Sequence, residues 1–244
     1  METTTDTEEQ KNIENKSSDL VDPNEESKTH NFLDLIAKFI SILFFPLFIP
    51  MYGMILLLNM NVFSCFPKSN MRVYYYIVVF FAILIPLFFY QLLAITKVIS
   101  DVRMYKKEDR VIPYFLTSVS FLVGAYLLYR CWMPLQIVNL ATATAIAILI
   151  DAIVSKWWQI SAHMTGIGGL TAGIFCVGLG LHTNTMGVLM IALLAAGLLA
   201  SARLQLKRHT PLQLAAGFLN GFFSVLFLSV IKWDLLMKAI SDLL

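Results

Sequence analysis

The stretch SARLQLKRHTPLQLAAGFLNG, residues 201–221, decides how the rest of the chain is read. It joins two long apolar segments and packs Arg203, Lys207, Arg208 and His209 into one short basic turn. Thr210 and Pro211 follow, a capping residue and then proline at the first helical position, so a helix is predicted to start there. His209 then lies beside the free N–H groups and positive dipole end of that helix, with cations close by. Such a corner suits a phosphate group. A basic turn between membrane helices also serves as a positive-inside anchor, so the turn alone does not choose.

Composition sets the class. Of 244 residues, 58% are hydrophobic and 14% charged, and apolar runs of membrane-spanning length recur through the chain. That is the signature of a polytopic membrane protein. Its spans must be helices, because open loops and sheet edges leave unpaired backbone groups in lipid. The formal charge of +2 hides an asymmetry: nine of the 16 acids precede His30, and from Leu35 onward six acids face fifteen lysines and arginines. A basic membrane part suits an anionic ligand or lipid surface. Cys65, Cys131 and Cys176 show no paired spacing, so neither a disulfide framework nor a zinc site is expected.

Residues 1–30 are rich in Thr, Glu, Asn and Ser and are expected to form a disordered acidic tail. No secretory signal is expected, since the first apolar run starts late and follows no basic region. Residues 31–244 are read as the transmembrane domain. Seven apolar segments fall at about residues 32–58, 73–99, 111–129, 134–154, 165–181, 186–199 and 211–231, with Pro46, Pro50 and Pro86 interrupting the first two. Tyr74, Tyr75, Tyr76, Trp157, Trp158 and Trp233 sit near segment ends, as interfacial aromatics do. Gly217 with Gly221, and Gly166 with Gly169 and Gly173, space as helix-packing faces. The tail and the loops at residues 97–110, 155–164 and 202–210 share one side of the membrane. With Lys38 that side carries 13 lysines and arginines against 5 opposite. The richer side is expected to be cytoplasmic.

Three loops on that side hold nearly all the polar chemistry. The first reads Lys106-Lys107-Glu108-Asp109-Arg110, with Pro113 beyond. The second is Lys156-Trp157-Trp158-Gln159-Ile160-Ser161-Ala162-His163, and the third runs from Arg203 to His209. In order and separation they resemble the motifs of the type 2 phosphatidic acid phosphatase superfamily, the membrane-embedded lipid phosphate phosphatases. The resemblance covers about residues 97–221 and is partial. Proline is delayed from Arg110 to Pro113. Ile160 and Ala162 replace the proline and glycine around Ser161. Ala202 stands in place of a serine and Gln213 in place of an aspartate.

The resemblance implies an all-α bundle of six or seven membrane helices, with a phosphatase-like core over about residues 97–232. It also implies roles. His209 would attack phosphorus and form a phosphohistidine, and His163 would protonate the leaving alkoxide and later activate water. Lys106 or Lys107, with Arg110, Arg203 and Ser161, would hold the phosphate oxygens. No cofactor or metal is called for, and no nucleic acid. The partners are a lipid phosphate substrate and the bilayer, and the expected location is a bacterial inner membrane. Each residue also has a plainer reading: His163 as a backbone-bonded helix-start residue, Lys106, Lys107 and Arg110 as snorkelling anchors, Ser161 as an N-cap.

Gln213 bears on activity. It lies one helical turn after His209, where its carbonyl can fix the imidazole but supplies no charge. A catalytically inactive relative that binds anionic lipid or a partner is therefore the alternative. Asp151 is the only acid in the apolar core of segments three to seven. It either serves a histidine in place of the missing aspartate or pairs with Lys156 or an arginine.

Overall fold

A computed structural model describes residues 23–59, 68–100, 107–181 and 184–230. Every regular element among them is helical, and seven stretches are long and apolar enough to cross a membrane. The protein is an all-α, multi-pass membrane bundle. Helix α1 (Pro23–Leu43) breaks at Phe45, where a 3-10 turn (Pro46–Phe48) leads into α2 (Ile49–Asn59). Pro46 cannot donate the next helical hydrogen bond, which accounts for the break. The helix begins at Pro23, inside the stretch expected to be tail; residues 1–22 lie outside the described residues.

Helix α3 (Lys68–Val79) runs through a π-helical segment (Phe80–Leu84) into α4 (Ile85–Ile95). The widened turn sits directly before Pro86, whose ring would otherwise strike the carbonyl four residues back. Five helices follow: α5 (Glu108–Arg130), α6 (Leu135–Val154), α7 (Ala162–Leu181), α8 (Met186–Gln205) and α9 (Pro211–Val230). The sixth expected span thus extends six residues past its expected end, which makes Arg203 helical.

Helix α7 is central. It packs against α9 most extensively, and also against α2, α6 and α8, while α5 lies along α6. Glycines set the α7–α9 contact. A Cβ at Gly217 would meet the Ser161 carbonyl oxygen at 2.5 Å, one at Gly221 would collide with the Thr165 carbonyl, and one at Gly168 with the Phe218 carbonyl. The two backbones touch, as small residues permit in lipid. The Gly217–Gly221 pair expected from the sequence therefore forms this seam. On α7 the seam uses Gly168 and Gly169, whereas Gly166 faces Ile49 and Gly173 faces Leu140. Buried polar groups tie the other seams. Ser118 Oγ donates to the Ala145 carbonyl at 2.7 Å and Ser120 Oγ to the Phe81 carbonyl at 2.6 Å.

Candidate functional site

The junction between α8 and α9 is held rigid from both sides. Helix α8 closes with the Arg208 N–H on the Arg203 carbonyl at 3.2 Å and the Lys207 N–H on the Leu204 carbonyl at 2.8 Å, with Lys207 left-handed at φ 50°. This is a Schellman closure without the usual glycine. Helix α9 opens with a capping box. The Gln213 N–H meets Thr210 Oγ1 at 3.4 Å, and the Thr210 N–H donates to Gln213 Oε1 at 3.1 Å. His209, caught between the two closures, is buried.

The capping box also sets the tautomer of His209. A backbone N–H can only donate, so the Gln213 amide atom beside Thr210 is its oxygen. The same oxygen lies 3.2 Å from His209 Nδ1, which must then carry the hydrogen. In the neutral ring Nε2 keeps its lone pair. Burial, followed by the positive charges of Arg203 and Arg110, lowers the His209 pKa to about 4, against the pull of Gln213 and the Gln159 backbone. Near neutral pH the ring is uncharged and nucleophilic.

Arg110 occupies the first turn of α5, where Glu108 and Asp109 suit the helix dipole. Asp109 accepts from the Ser100 N–H and hydroxyl, which pins the preceding loop. The Arg110 side chain is buried, and its Nη1 donates to the Ile160 carbonyl at 3.2 Å. One turn on, Tyr114 lines the same cavity. Arg203, in the last turn of α8, has its Nε buried without a hydrogen-bond partner. His163 sits in the first turn of α7, with Nε2 directed at the Ser41 carbonyl of α1 at 3.2 Å and its ring edge-on to Phe45. The plainer expectation for His163 is met in that backbone bond, and the bond also orients the ring.

One cavity of about 320 Å³ collects these groups. Arg110, Arg203, His163, His209 and Tyr114 all line it, and Asp151 is the only carboxylate on its wall among the described residues. From there it continues between apolar side chains as far as Leu57, Tyr74, Leu128 and Ile137. The cavity thus has cations at one end and apolar side chains along the rest.

The other expected site residues fall elsewhere. Gln213 stands behind His209 rather than on the cavity wall. Lys107 is turned outward, with Nζ 3.4 Å from the Trp157 carbonyl and 4.0 Å from Glu108. Lys106 lies outside the described residues. Ser161 is fully buried and does not line the cavity; its Oγ has no partner, so it caps nothing by side chain. Asp151 shares the cavity with Arg110, Arg203 and the two histidines, and its hydrogen bonds go to neutral groups. Its Oδ1 accepts from Thr165 Oγ1 at 3.0 Å and Asn220 Nδ2 at 2.9 Å, which joins α6, α7 and α9. Lys156 is exposed and lies over the Trp157 ring. A hydrogen-bonding hydroxyl and amide from the glycine-tight α7–α9 seam reach Asp151, whereas Lys156 lies beyond the helix end.

Tyr114, Thr165 and Asn220 belong to the site and were missed in the sequence. Tyr114 was findable by its one-turn spacing from Arg110, and the Thr210–Gln213 capping box by its sequence signature. Thr165 and Asn220 carried no such signal. Among the described residues, no three His, Cys, Asp or Glu side chains gather as a metal site requires. No protein family, curated protein or solved structure matches the chain.

Proposed function

We propose that this protein is a membrane-embedded phosphatase that removes phosphate from a lipid phosphate monoester. One observation carries the reading. Two guanidinium groups and two imidazoles line a single cavity with one carboxylate, and that cavity runs on into an apolar interior. The charged end matches a phosphate dianion, and the interior matches the chain attached to it.

In this mechanism Arg110 and Arg203 hold the non-bridging oxygens, where transition-state charge gathers. His209 Nε2 forms a bond to phosphorus as the bond to the ester oxygen breaks. His163, which takes up a proton at Nδ1 once the phosphate dianion offsets the charges of Arg203 and Arg110, gives that proton to the departing alkoxide, while the Ser41 carbonyl keeps hold of its Nε2–H. Water then passes a proton to His163 and attacks phosphorus. The N–P bond breaks, and inorganic phosphate and free imidazole are restored. Gln213 is a positioning residue: it keeps Nδ1 protonated and Nε2 free.

The neutral Gln213 supports a second reading, in which the same pocket binds an anionic lipid without turnover. A carboxylate at that place would stabilise the imidazolium, and an amide does not. The charge asymmetry of 13 to 5 supports a cytoplasmic orientation of the pocket mouth. Phosphate release from a panel of lipid phosphates in detergent, with and without EDTA, tests the proposal. Release that survives EDTA is the expected result, and silence across the panel leaves the binding reading.

A further inference from the structure

The end of α1 can be followed carbonyl by carbonyl. The last four carbonyls of a helix have no partner inside it, and in lipid each must find one. In α1 these belong to Ile40, Ser41, Ile42 and Leu43. The Phe44 N–H donates to Ile40 at 2.9 Å, the Phe45 N–H to Ile42 at 3.1 Å and the Tyr52 hydroxyl to Leu43 at 2.6 Å. Ser41 is passed over by the backbone. Its carbonyl is the one that His163 Nε2 meets at 3.2 Å.

Pro46 is the cause. In an unbroken helix the Phe45 N–H would donate four residues back, to Ser41, and residue 46 would donate to Ile42. Proline has no N–H, and it holds the residue before it extended. Phe45 accordingly has φ −61° and ψ 134°, and its N–H closes the shorter turn onto Ile42. The break leaves the Ser41 carbonyl open beside the cavity, which Phe45, Pro46 and His163 all line.

A carbonyl only accepts, so His163 carries its hydrogen on Nε2, and Nδ1 is left bare. His209 is held the other way round, with its Nδ1–H on Gln213 and Nε2 bare. Neither acceptor lines the cavity, so each ring is gripped from behind. Helix α1 is itself held in register with the arginine clamp. Asp34 and Ser41 lie two turns apart on one face, with buried Ala37 between them. Asp34 accepts from Gln205 Nε2 at 3.1 Å, two residues beyond Arg203 on α8.

We propose that the Pro46 break is a positioning device for the reaction. It frees the Ser41 carbonyl to fix His163 as the Nε2–H tautomer, opposite to His209, so that Nδ1 is the atom that serves the leaving group. The leaving-group role rests on the phosphatase reading; the tautomers and their dependence on Pro46 do not.

The test uses the full chain in detergent with nitrogen-15-labelled histidine. Long-range proton–nitrogen spectra at pH 8 report which ring nitrogen carries hydrogen, with His163→Gln and His209→Gln serving only to assign the signals. In parallel, kcat/KM for phosphate release is read for an alkyl lipid phosphate and for 4-nitrophenyl phosphate. It covers the steps up to departure of the leaving group, where an alkoxide needs a proton and nitrophenolate does not. Pro46→Ala returns an N–H to residue 46 and lets the Phe45 N–H compete for Ser41. Pro46→Ser restores the same N–H and stands in if Pro46→Ala does not fold.

In the parent, His163 is expected with hydrogen on Nε2 and His209 with hydrogen on Nδ1. In the Pro46 variant the His163 signals are expected to move toward a mixture of tautomers. A placed general acid is worth ~10²–10⁴, so kcat/KM should fall at least ~tenfold for the alkyl phosphate and under ~twofold for the aryl one. A parent in which both rings carry hydrogen on the same atom overturns the proposal, whether or not a variant folds. So does a folded variant that keeps the parent's tautomer, or one that slows both esters alike. Should neither ester release phosphate in the parent, the phosphatase reading fails, and the spectra still decide the tautomers and the role of Pro46.

Discussion

Replacing Gln213 by glutamate isolates the residue on which activity turns. The change is nearly isosteric. Glutamate is itself a capping-box residue, so the Thr210 contact is kept. One oxygen stays near its 3.2 Å position against His209 Nδ1, and a negative charge arrives beside the ring. At ~4 Å and an effective dielectric constant of ~20, opposite unit charges attract by ~4 kcal/mol. Arg203 and Arg110 share the new carboxylate with the ring, so about half of that reaches His209. A gain of ~2 kcal/mol is ~1.5 pH units. The His209 pKa, about 4 in the parent, is then expected near ~5.5. The nucleophile must be neutral, so the acid limb of the rate profile moves up by the same interval, while the rate at neutral pH rises. The assay is phosphate release from a lipid phosphate between pH 3 and pH 8, with the imidazole titration followed by NMR in parallel. An unmoved limb with a correctly folded variant would show that Gln213 does not govern this ring. Aspartate is the weaker choice, because a shorter side chain forfeits the Thr210 bond.

The remaining predictions concern the clamp, the seams, acid stability and orientation. Lysine in place of Arg110 or Arg203 should weaken vanadate affinity roughly tenfold, since an ammonium lacks the planar fork; unchanged affinity in both makes them topology anchors only. Asp151→Ala removes the acceptor shared by Thr165 and Asn220, which keep the Ser161 and Ala147 carbonyls, and should cost ~1–2 kcal/mol in thermal unfolding, against under ~1 for Asp151→Asn, which still offers an acceptor. Gly221→Val forces a branched side chain into the Thr165 carbonyl and should abolish assembly of the bundle, read as loss of monodisperse protein in detergent. His209 binds its proton less readily folded, at about 4, than unfolded, at ~6.5. Its contribution to stability is therefore complete above ~6.5 and is lost as pH falls through 4, so His209→Gln should flatten the acid decline of unfolding temperature. A cysteine introduced at Lys107 should resist an impermeant thiol reagent in intact cells; ready labelling reverses the orientation.

The sequence carried the fold and most of the pocket because both rest on local rules. Apolar runs of spanning length name the helices, and Thr210-Pro211 names the start of α9 to the residue. Arg110, Arg203, His163 and His209 could be selected because each lies within a turn of a helix end, where loops bring ends together. What escaped depends on packing. The partners of Asp151 are set by how closely α7 and α9 approach, and that follows from carbonyl contacts at Gly217 and Gly221 that no pattern of charge reveals. The inward continuation of the cavity from Arg110 to Leu128 is likewise a product of many helices at once, with lining residues drawn from every helix from α2 to α9. Lys107, a basic residue beside a motif, bonds the Trp157 carbonyl outside the cavity, a placement that depends on loop packing rather than on spacing.

The central claim is that His209 becomes covalently phosphorylated. Incubating the purified protein with a lipid phosphate labelled at phosphorus, quenching in alkali and mapping the label tests it directly. The account predicts an acid-labile, alkali-stable phosphoramidate on the peptide containing His209, absent from His209→Ala, which should retain the lipid. Phosphate release without such an adduct, or a label that persists in His209→Ala, contradicts it.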